Sequence, residues 1–258
     1  MNVRPSRTAP RPPVIVRTSA LDPSVLNVRL ADDTVVPPLD ELRSWVESVA
    51  EDPSVATIRT AAMFQRPASR FEEAGFEVAD RLVLLRADLR TPAMRTAIRG
   101  GDMRTRRRAT FTMRRHHLAA ASRVDIAAFG ADWGHEAADL DEISRATPVT
   151  RGRFRTDPPR RELLARRGGD LAAFAIAGAS GEHGYLQRLA VAPRVQRRGH
   201  GRALTVDALR WMARRHLPDC LVNTSVDNTA ARSLYQSIGF ATTADELRVL
   251  CLDVRSQR

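Results

Sequence analysis

The 258-residue sequence contains no lysine, two cysteines, few aromatic residues (5%) and no long apolar run. Two cysteines, Cys220 and Cys251, are too few for a disulfide framework or a zinc ribbon, so we expect a protein of the reducing cytoplasm. A membrane-spanning helix needs about 20 consecutive apolar residues, so we expect no membrane partner. Residues 1–16 contain four prolines and no sustained apolar segment, which argues against a secretory signal.

All 41 basic residues are arginines, and with 30 acidic residues they give a formal net charge of +11. We attribute the absence of lysine to a G+C-rich genome, because arginine codons are rich in G and C. The arginines are spread along the chain. The one dense run, residues 104–108, contains no aromatic residues. Proteins that bind single-stranded nucleic acid interleave aromatic residues, on which bases stack, with basic ones. We therefore do not expect nucleic acid as a partner.

The sequence predicts a small N-terminal region with few elements and a larger C-terminal domain. Prolines mark residues 1–13 as a flexible tail. Short strands and helices alternate over residues 14–90, and residues 91–106 read as a linker. Residues 107–258 read as one α/β domain. Its main predicted helices are 118–129, 202–216 and 230–237, and its main predicted strands are 171–176, 184–191, 220–224 and 247–254.

The two halves share a short repeat. Residues 71–76 (FEEAGF) match residues 235–240 (YQSIGF), 164 positions later. The order helix, strand, helix, strand is predicted around both copies. We therefore interpret the two halves as products of a duplication.

A strand–turn–helix junction in the second half carries the clearest functional signal. The strand that ends at Val191 is followed by Gly199 and Gly201 and then by a helix. The first amides of a helix have no intrahelical acceptor and lie at its positive dipole end, so they suit an anion such as pyrophosphate. Four arginines can add charge-assisted contacts: Arg194, Arg197, Arg198 and Arg202. The alternative is an ordinary turn with solvated arginines.

Two motifs resemble those of the GCN5-related N-acetyltransferases. Residues 196–201 (QRRGHG) resemble that family's acyl-CoA-binding motif, and residues 228–240 (NTAARSLYQSIGF) resemble its second motif. The resemblance covers roughly residues 107–258 and implies a mixed, mostly antiparallel sheet flanked by helices. Residues 14–90 resemble a degenerate partial copy of related topology. That copy has no glycine turn before Pro37, so we expect it to bind no CoA.

The resemblance also implies roles for residues. The strand Leu189–Val191 would splay from its neighbour and bind the pantetheine arm of acetyl-CoA, and the glycine turn would bind the pyrophosphate. Tyr235 would protonate the departing thiolate, although it could instead be an aromatic residue at the edge of an apolar stripe. Asn228 could equally cap a helix. The residues predicted to contact acetyl-CoA are Leu189, Ala190, Val191, Gln196, Arg197, Arg198, Gly199, His200, Gly201, Arg202, Asn228 and Tyr235.

The general base is less clear from the sequence. Some family members carry a glutamate five residues before the asparagine of the second motif, but here that residue is Asn223. Glu182 and His183 precede the motif strand and are the nearest candidates, and we assign Glu182 to catalysis. The alternatives are that both are solvated hairpin residues, or that a chain of water molecules removes the proton.

We predict transfer of an acetyl group from acetyl-CoA to a primary amine, by direct attack on the thioester and without a metal. The acceptor amine belongs to a small molecule or a protein. The acidic segment Asp132–Glu142 would border the acceptor site by resemblance and favour a cationic amine, unless it is a polar helix face. A catalytically silent acyl-CoA-binding regulatory module is the alternative function, and a nucleic-acid-binding protein is less favoured. The sequence leaves the oligomeric state open.

Overall fold

The computed structural model describes residues 14–19, 21–32, 35–99, 110–156 and 171–257. They form two compact units. The first unit contains the described residues up to Leu84, Ser225–Asp227, and Ala244 to the end of the described chain; the second contains Leu85–Thr224 and Asn228–Thr243. The tail predicted at 1–13 lies outside the described residues. No helix within the described ranges is long and apolar enough to cross a membrane.

The first unit is a mixed sheet with two helices. In chain order its elements are β1 (Val14–Thr18), β2 (Val25–Leu30), α1 (Leu39–Ala50), β3 (Thr57–Thr60), β4 (Met63–Phe64), α2 (Gln65–Glu73), the first part of β5 (Glu77–Asp88) and most of β11 (Ala241–Asp253). The strand order is β1-β2-β3-β11-β5, with the short β4 also paired to β11. The pair β2/β3 is parallel, whereas β1/β2, β3/β11 and β4/β11 are antiparallel.

The second unit is a larger sheet flanked by helices. Its elements are the end of β5, α3 (Pro92–Arg99), β6 (Phe111–Thr112), α4 (Leu118–Phe129), α5 (Ala137–Ile143), β7 (Val149–Thr156), β8 (Leu171–Ser180), β9 (His183–Val191), α6 (His200–Arg214), most of β10 (Asp219–Ser225), α7 (Thr229–Ile238) and the start of β11. The strand order is β5-β10-β9-β8-β7-β6. The pair β9/β10 is parallel, and the pairs β8/β9, β7/β8 and β6/β7 are antiparallel. The predicted α/β class, with a mixed and mostly antiparallel sheet, is confirmed.

Each unit has its own apolar core. In the second unit, the uninterrupted apolar sequence of β8 is buried from Leu171 to Ala179, as expected for a central strand covered on both faces. Leu118 and Val124 of α4 belong to the same core. In the first unit, Leu42 of α1 and Phe71 of α2 pack with Leu250 of β11.

The predicted repeat extends to the details of helix ends. Helix α2 is followed by Gly75 at φ +97°, and α7 by Gly239 at φ +113°. The Phe76 amide donates to the Phe71 carbonyl at 3.1 Å, and the Phe240 amide donates to the Tyr235 carbonyl at 3.1 Å. The ring centroids of these pairs are 5.1 Å and 5.4 Å apart. The two copies therefore end their helices in the same way.

Two predictions about the elements were wrong. The predicted linker 91–106 contains α3, whose Met94 and Ile98 are buried one helical turn apart; residues 100–106 lie outside the described range. The last strand begins at Ala241 instead of residue 247, because its first residues are mostly exposed and carry no apolar pattern.

Candidate functional site

Strands β9 and β10 part within the second unit. They are registered in parallel at three positions, where His183–Tyr185 lie opposite Asp219–Leu221. Beyond Tyr185, the register pairs of β9 are with β8 alone, although β9 continues to Val191 and β10 to Ser225. This opening between β9 and β10 is the splay that the resemblance implies. The β10-facing edge of Leu189–Val191 can therefore offer backbone donors and acceptors to an extended ligand.

A β-bulge lies just beyond the paired positions. Ile176 of β8 faces Arg188 and Ala177 faces Leu186, so Gln187 is an extra residue in β9. A bulge re-aims the side chains on its strand. Here Gln187 donates from Nε2 to the Ile143 carbonyl at 3.1 Å, while the neighbouring Arg188 reaches α4.

Arg188 forms a buried ion pair with Asp125 of α4. Its Nε and Nη2 donate to the two Asp125 carboxylate oxygens at 2.8 and 2.7 Å. Nη2 also donates to the Trp133 carbonyl at 2.8 Å, and the guanidinium lies 3.9 Å from the centroid of the Phe129 ring. The Asp125 side chain is 0% exposed. Burial opposes its ionisation, but hydrogen bonds from His135 and Arg188 lower the Asp125 pKa overall.

Tyr235 of α7 is buried and interacts electrostatically with one residue of each parted strand. Its side chain is 4% exposed, and burial raises the pKa of its hydroxyl. Cys220 of β10 raises this pKa further, and the positive charge of Arg188 of β9 lowers it. The hydroxyl is therefore protonated at neutral pH, as a proton donor must be, and it is a weaker acid than an exposed tyrosine. Within the described part of the chain, no group forms a hydrogen bond to this hydroxyl.

The turn between β9 and α6 presents exposed arginines. Gly199 is the N-cap residue of α6 and has φ +80°, a conformation that glycine adopts without steric cost. Gln196 braces the turn, because its Nε2 donates to the Val191 carbonyl at 3.3 Å. Arg202 donates from Nη1 to the Ser237 hydroxyl at 3.0 Å and thereby joins α6 to α7. The exposed arginines of the turn are Arg194, Arg197 and Arg198.

His200 and Gly201, also predicted to bind the cofactor, lie inside the unit. The His200 side chain is 1% exposed and its Nδ1 accepts from Arg155 Nε at 3.1 Å. Gly201 is helical, and a Cβ there would lie 3.1 Å from Leu234 Cδ2 and 3.6 Å from Val191 Cγ2. Gly201 therefore lets α6 approach α7 and β9 closely, while the positive φ of the turn is at Gly199. Their backbone amides alone are available to a ligand.

Glu182 precedes β9, and Asn228 precedes α7. Glu182 is exposed in the turn between β8 and β9, and its catalytic role stays a prediction. Asn228 caps α7, because its Oδ1 accepts from the Ala231 amide at 3.0 Å, which confirms its capping role. His183 holds the buried Asp219 through Nδ1 at 2.8 Å, and Arg86 donates to the same carboxylate from Nε at 2.8 Å.

The acidic segment Asp132–Glu142 is engaged in local structure. Asp139 accepts from the Glu136 amide at 3.0 Å in a capping box at the start of α5. Asp141 pairs with Arg145 and lies 3.6 Å from Arg115. These contacts favour the polar-helix interpretation over an acceptor rim. Among the described residues, no group of three or more His, Cys, Asp or Glu side chains is arranged to hold a metal ion.

Sequence reasoning missed the Asp125–Arg188 pair. A signal was present, because Asp125 interrupts the apolar residues of α4 and Arg188 interrupts those of β9. A charged residue at a core position is seldom buried without a partner of opposite charge. The sequence could therefore have predicted an ion pair between Asp125 and Arg188.

Comparisons with known proteins agree with this geometry. The profile of the acetyltransferase (GNAT) family matches residues 120–240. The mycothiol acetyltransferase of Streptomyces avermitilis is 36% identical over 87 residues, which cover 33% of this chain and 28% of that protein. The [ribosomal protein bS18]-alanine N-acetyltransferase of Escherichia coli is 30% identical over 103 residues, which cover 39% of this chain and 70% of that protein.

One solved structure extends the likeness of the fold to the first unit. It is described as a tandem GNAT protein from the clavulanic acid biosynthesis pathway. It has a TM-score of 0.58 and 11% identity, and covers 90% of this chain and 75% of that one. At this identity the likeness concerns the fold alone.

Proposed function

Because the chain belongs to the GCN5-related N-acetyltransferase (GNAT) family, we propose that its second unit transfers an acetyl group from acetyl-CoA to a primary amine. The observation that carries this proposal is the opening between β9 and β10, together with the buried Tyr235, which interacts electrostatically with a residue of each strand. Both curated relatives named above are acetyltransferases by name. The two cysteines are free, as a reducing compartment allows, and we place the activity in the cytoplasm.

Acetyl-CoA would bind as an extended substrate along β9. The edge of Leu189–Val191 supplies backbone groups for the amides of the pantetheine arm. The first amides of α6 and the three exposed arginines of the turn supply positive charge for the pyrophosphate. In this proposal Gln196 and Arg202 hold the turn in place through Val191 and Ser237.

The chemistry would be direct attack of the amine nitrogen on the thioester carbonyl carbon. The C–N bond forms, the C–S bond breaks, and the departing thiolate takes a proton. We assign this proton to the Tyr235 hydroxyl, because it is protonated at neutral pH and has no hydrogen-bond partner in the described part of the chain. No covalent enzyme intermediate is required.

The acceptor is an amine of a small molecule or of a protein. The bS18 enzyme acts, by its name, on an alanine of a ribosomal protein, whereas the other relative is named for mycothiol. A test should therefore include small polyamines and amino sugars beside peptides with free N-termini and peptides with lysine. The purified full chain is mixed with acetyl-CoA and each amine, and free CoA thiol is measured.

We expect at least one amine to raise CoA release well above hydrolysis, with the acetylated product identified by mass spectrometry. The Tyr235→Phe variant should bind acetyl-CoA and release CoA much more slowly. If the wild-type chain acetylates no amine of the panel, the proposed function is wrong.

A silent acyl-CoA-binding module is the second candidate. Asn223, where some family members carry a glutamate, favours it, because an amide cannot act as a general base. Calorimetric binding of acetyl-CoA without turnover of any amine would support this candidate over the enzyme.

A further inference from the structure

The second unit contains two histidines that are each held by a buried carboxylate. His135, in the loop between α4 and α5, lies with Nδ1 3.2 Å from Asp125 Oδ2, and its backbone amide donates to the same oxygen at 2.8 Å. His183, at the start of β9, lies with Nδ1 2.8 Å from Asp219 Oδ1. Each carboxylate also pairs with an arginine. Each cluster thus contains a histidine, an aspartate and an arginine. One includes His183 at the start of β9, and the other includes Arg188 further along the same strand.

The geometry at His135 prepares its other ring nitrogen to accept a proton. Asp125 stays ionised, since hydrogen bonds from His135 and Arg188 outweigh its burial and lower its pKa. A carboxylate at Nδ1 favours the tautomer with the proton on Nδ1 and leaves the lone pair on Nε2. The side chain of His135 is 33% exposed. In the described chain, no group is hydrogen-bonded to Nε2.

The same network ties the His135 loop to the opening between β9 and β10. Arg188 lies at the bulge, acts on the pKa of Tyr235, and holds both Asp125 and the Trp133 carbonyl. His135 is two residues beyond Trp133 and is bound to the same Asp125 oxygen that accepts from Arg188 Nη2. Among the described residues, Asp125 of α4 is the charged group that contacts the His135 ring, and Arg188 of β9 contacts that carboxylate in turn.

His183 is less well placed for the same task. It lies where β9 and β10 are still paired, opposite Asp219 and two residues before the last registered pair at Tyr185. Glu182 lies one residue further from the opening, in an exposed turn. Neither is linked to the bulge by the contacts of Arg188.

We propose that His135 is the general base that deprotonates the acceptor amine, with Asp125 as the residue that positions it. This proposal rests on the proposed acetyltransferase function. Nε2 takes one proton from the ammonium form of the acceptor and passes it to water. The nitrogen then attacks the thioester, loses its second proton as the C–N bond forms, and so replaces the proton that Tyr235 gives to the CoA sulfur. The net reaction releases one proton per acetyl group transferred.

The test compares His135→Gln with His183→Gln, a matched control that removes a histidine with the same kind of carboxylate contact. Both full-length variants are assayed for CoA release across pH with the best amine from the panel, and acetyl-CoA affinity is measured by calorimetry. We expect His135→Gln to lower kcat/KM for the amine about 10²-fold near neutral pH, the scale of one general base. The variant should also remove the acidic limb of the pH profile and leave acetyl-CoA affinity unchanged. We expect His183→Gln to stay close to wild type.

A second variant separates the proton transfer from a structural role. His135→Ala leaves space beside Asp125, so added imidazole should restore part of the lost rate, which a merely structural defect would not allow. Asp125→Asn should lower the same kcat/KM and shift the acidic limb.

These experiments distinguish failure of the His135 assignment from failure of the proposed acetyltransferase function. If the wild-type chain acetylates an amine but His135→Gln keeps its kcat/KM and its acidic limb, His135 is not the base, while the acetyltransferase function stands. Loss of acetyl-CoA affinity in His135→Gln, or the absence of imidazole rescue in His135→Ala, also overturns the assignment. If the wild-type chain acetylates no amine, the function and this assignment fall together.

Discussion

The two units share an order of elements but differ in the strand pair that would bind a ligand. In the first unit, β2 is paired with β3 over Val25–Val28 of a strand that ends at Leu30. In the second, β9 is paired with β10 over His183–Tyr185 of a strand that ends at Val191. The first pair is therefore registered along most of its length and the second along a third of it. A fold can thus be kept while the opening that would serve a substrate is present in one copy alone.

The turns after these strands differ in charge and in backbone donors. Eight residues separate β2 from α1, and eight separate β9 from α6. The first set includes Asp32, Pro37 and Pro38, whereas the second includes three arginines and Gly199. Proline has no backbone N–H to offer an anion, and a carboxylate repels one. The two turns have the same length, but the residues of the second favour anion binding and those of the first disfavour it.

The sharpest test of this comparison is the number of acetyl-CoA molecules bound per chain. We expect calorimetry to give one site per full chain, because the first unit lacks the parted strands and the cationic turn. A stoichiometry of two at saturating acetyl-CoA would contradict the comparison.

The Tyr235→Phe substitution gives α7 the aromatic residue found at the equivalent position of α2. We expect kcat to fall about 10²-fold, the scale of one general acid, because the thiolate loses its proton donor. Acetyl-CoA affinity should change little, since the ring still packs against Phe240. Steady-state kinetics and calorimetry on the same preparation check both points, and an unchanged kcat would show that the hydroxyl is dispensable.

Reversing charge in the second turn should weaken binding without stopping the chemistry. We expect Arg197→Glu combined with Arg198→Glu to raise the Kd for acetyl-CoA roughly tenfold, about the energy of one charge-assisted hydrogen bond. Because these side chains are exposed, added salt should reduce the difference. The control is Arg66→Glu, an exposed arginine in α2 of the first unit, which should leave the Kd as it is.

The reciprocal change in the first unit should affect stability and leave activity unchanged. Phe71 is fully buried in that unit's core, so Phe71→Tyr must place a hydroxyl there without a designed partner. We expect the free energy of unfolding to fall by about 1–3 kcal/mol, with turnover and acetyl-CoA stoichiometry unchanged. Denaturant unfolding followed by circular dichroism measures the first quantity. A gain of acetyl-CoA binding would show that the hydroxyl alone separates the two copies.

Much of the fold was predictable, because the element order follows from local apolar periodicity. Helix α4 was predicted at residues 118–129 and is observed as Leu118–Phe129. The repeat, anchored on the matching glycines 75 and 239, also proved to be structural. These features depend on residues close together in sequence, where patterns are readable. Helix α3 was not predicted, although the spacing of Met94 and Ile98 corresponds to one helical turn.

The candidate site was predictable in place but not in detail. The bulge at Gln187 depends on the register between two strands, and one extra residue changes which face each following side chain occupies. For the same reason the sequence did not pair Arg188 with Asp125, 63 positions apart. The motif predicted that His200 contacts the cofactor at the turn between β9 and α6. Its side chain instead points inward and accepts a hydrogen bond from Arg155. The apolar periodicity of a helix does not show the direction of a polar side chain in its first turn.

The path of β11 has a consequence for how the chain is made. Leu250, Leu252 and Val254 belong to the core of the first unit together with Val28 and Leu42. Between Phe76, the last residue of that core in the N-terminal segment, and Leu250 lie 173 residues. The first unit therefore cannot complete its core until Leu250–Val254 have been synthesised, whereas the second needs no residue beyond Thr243. The unit whose sequence begins first is thus the last to have all of its residues.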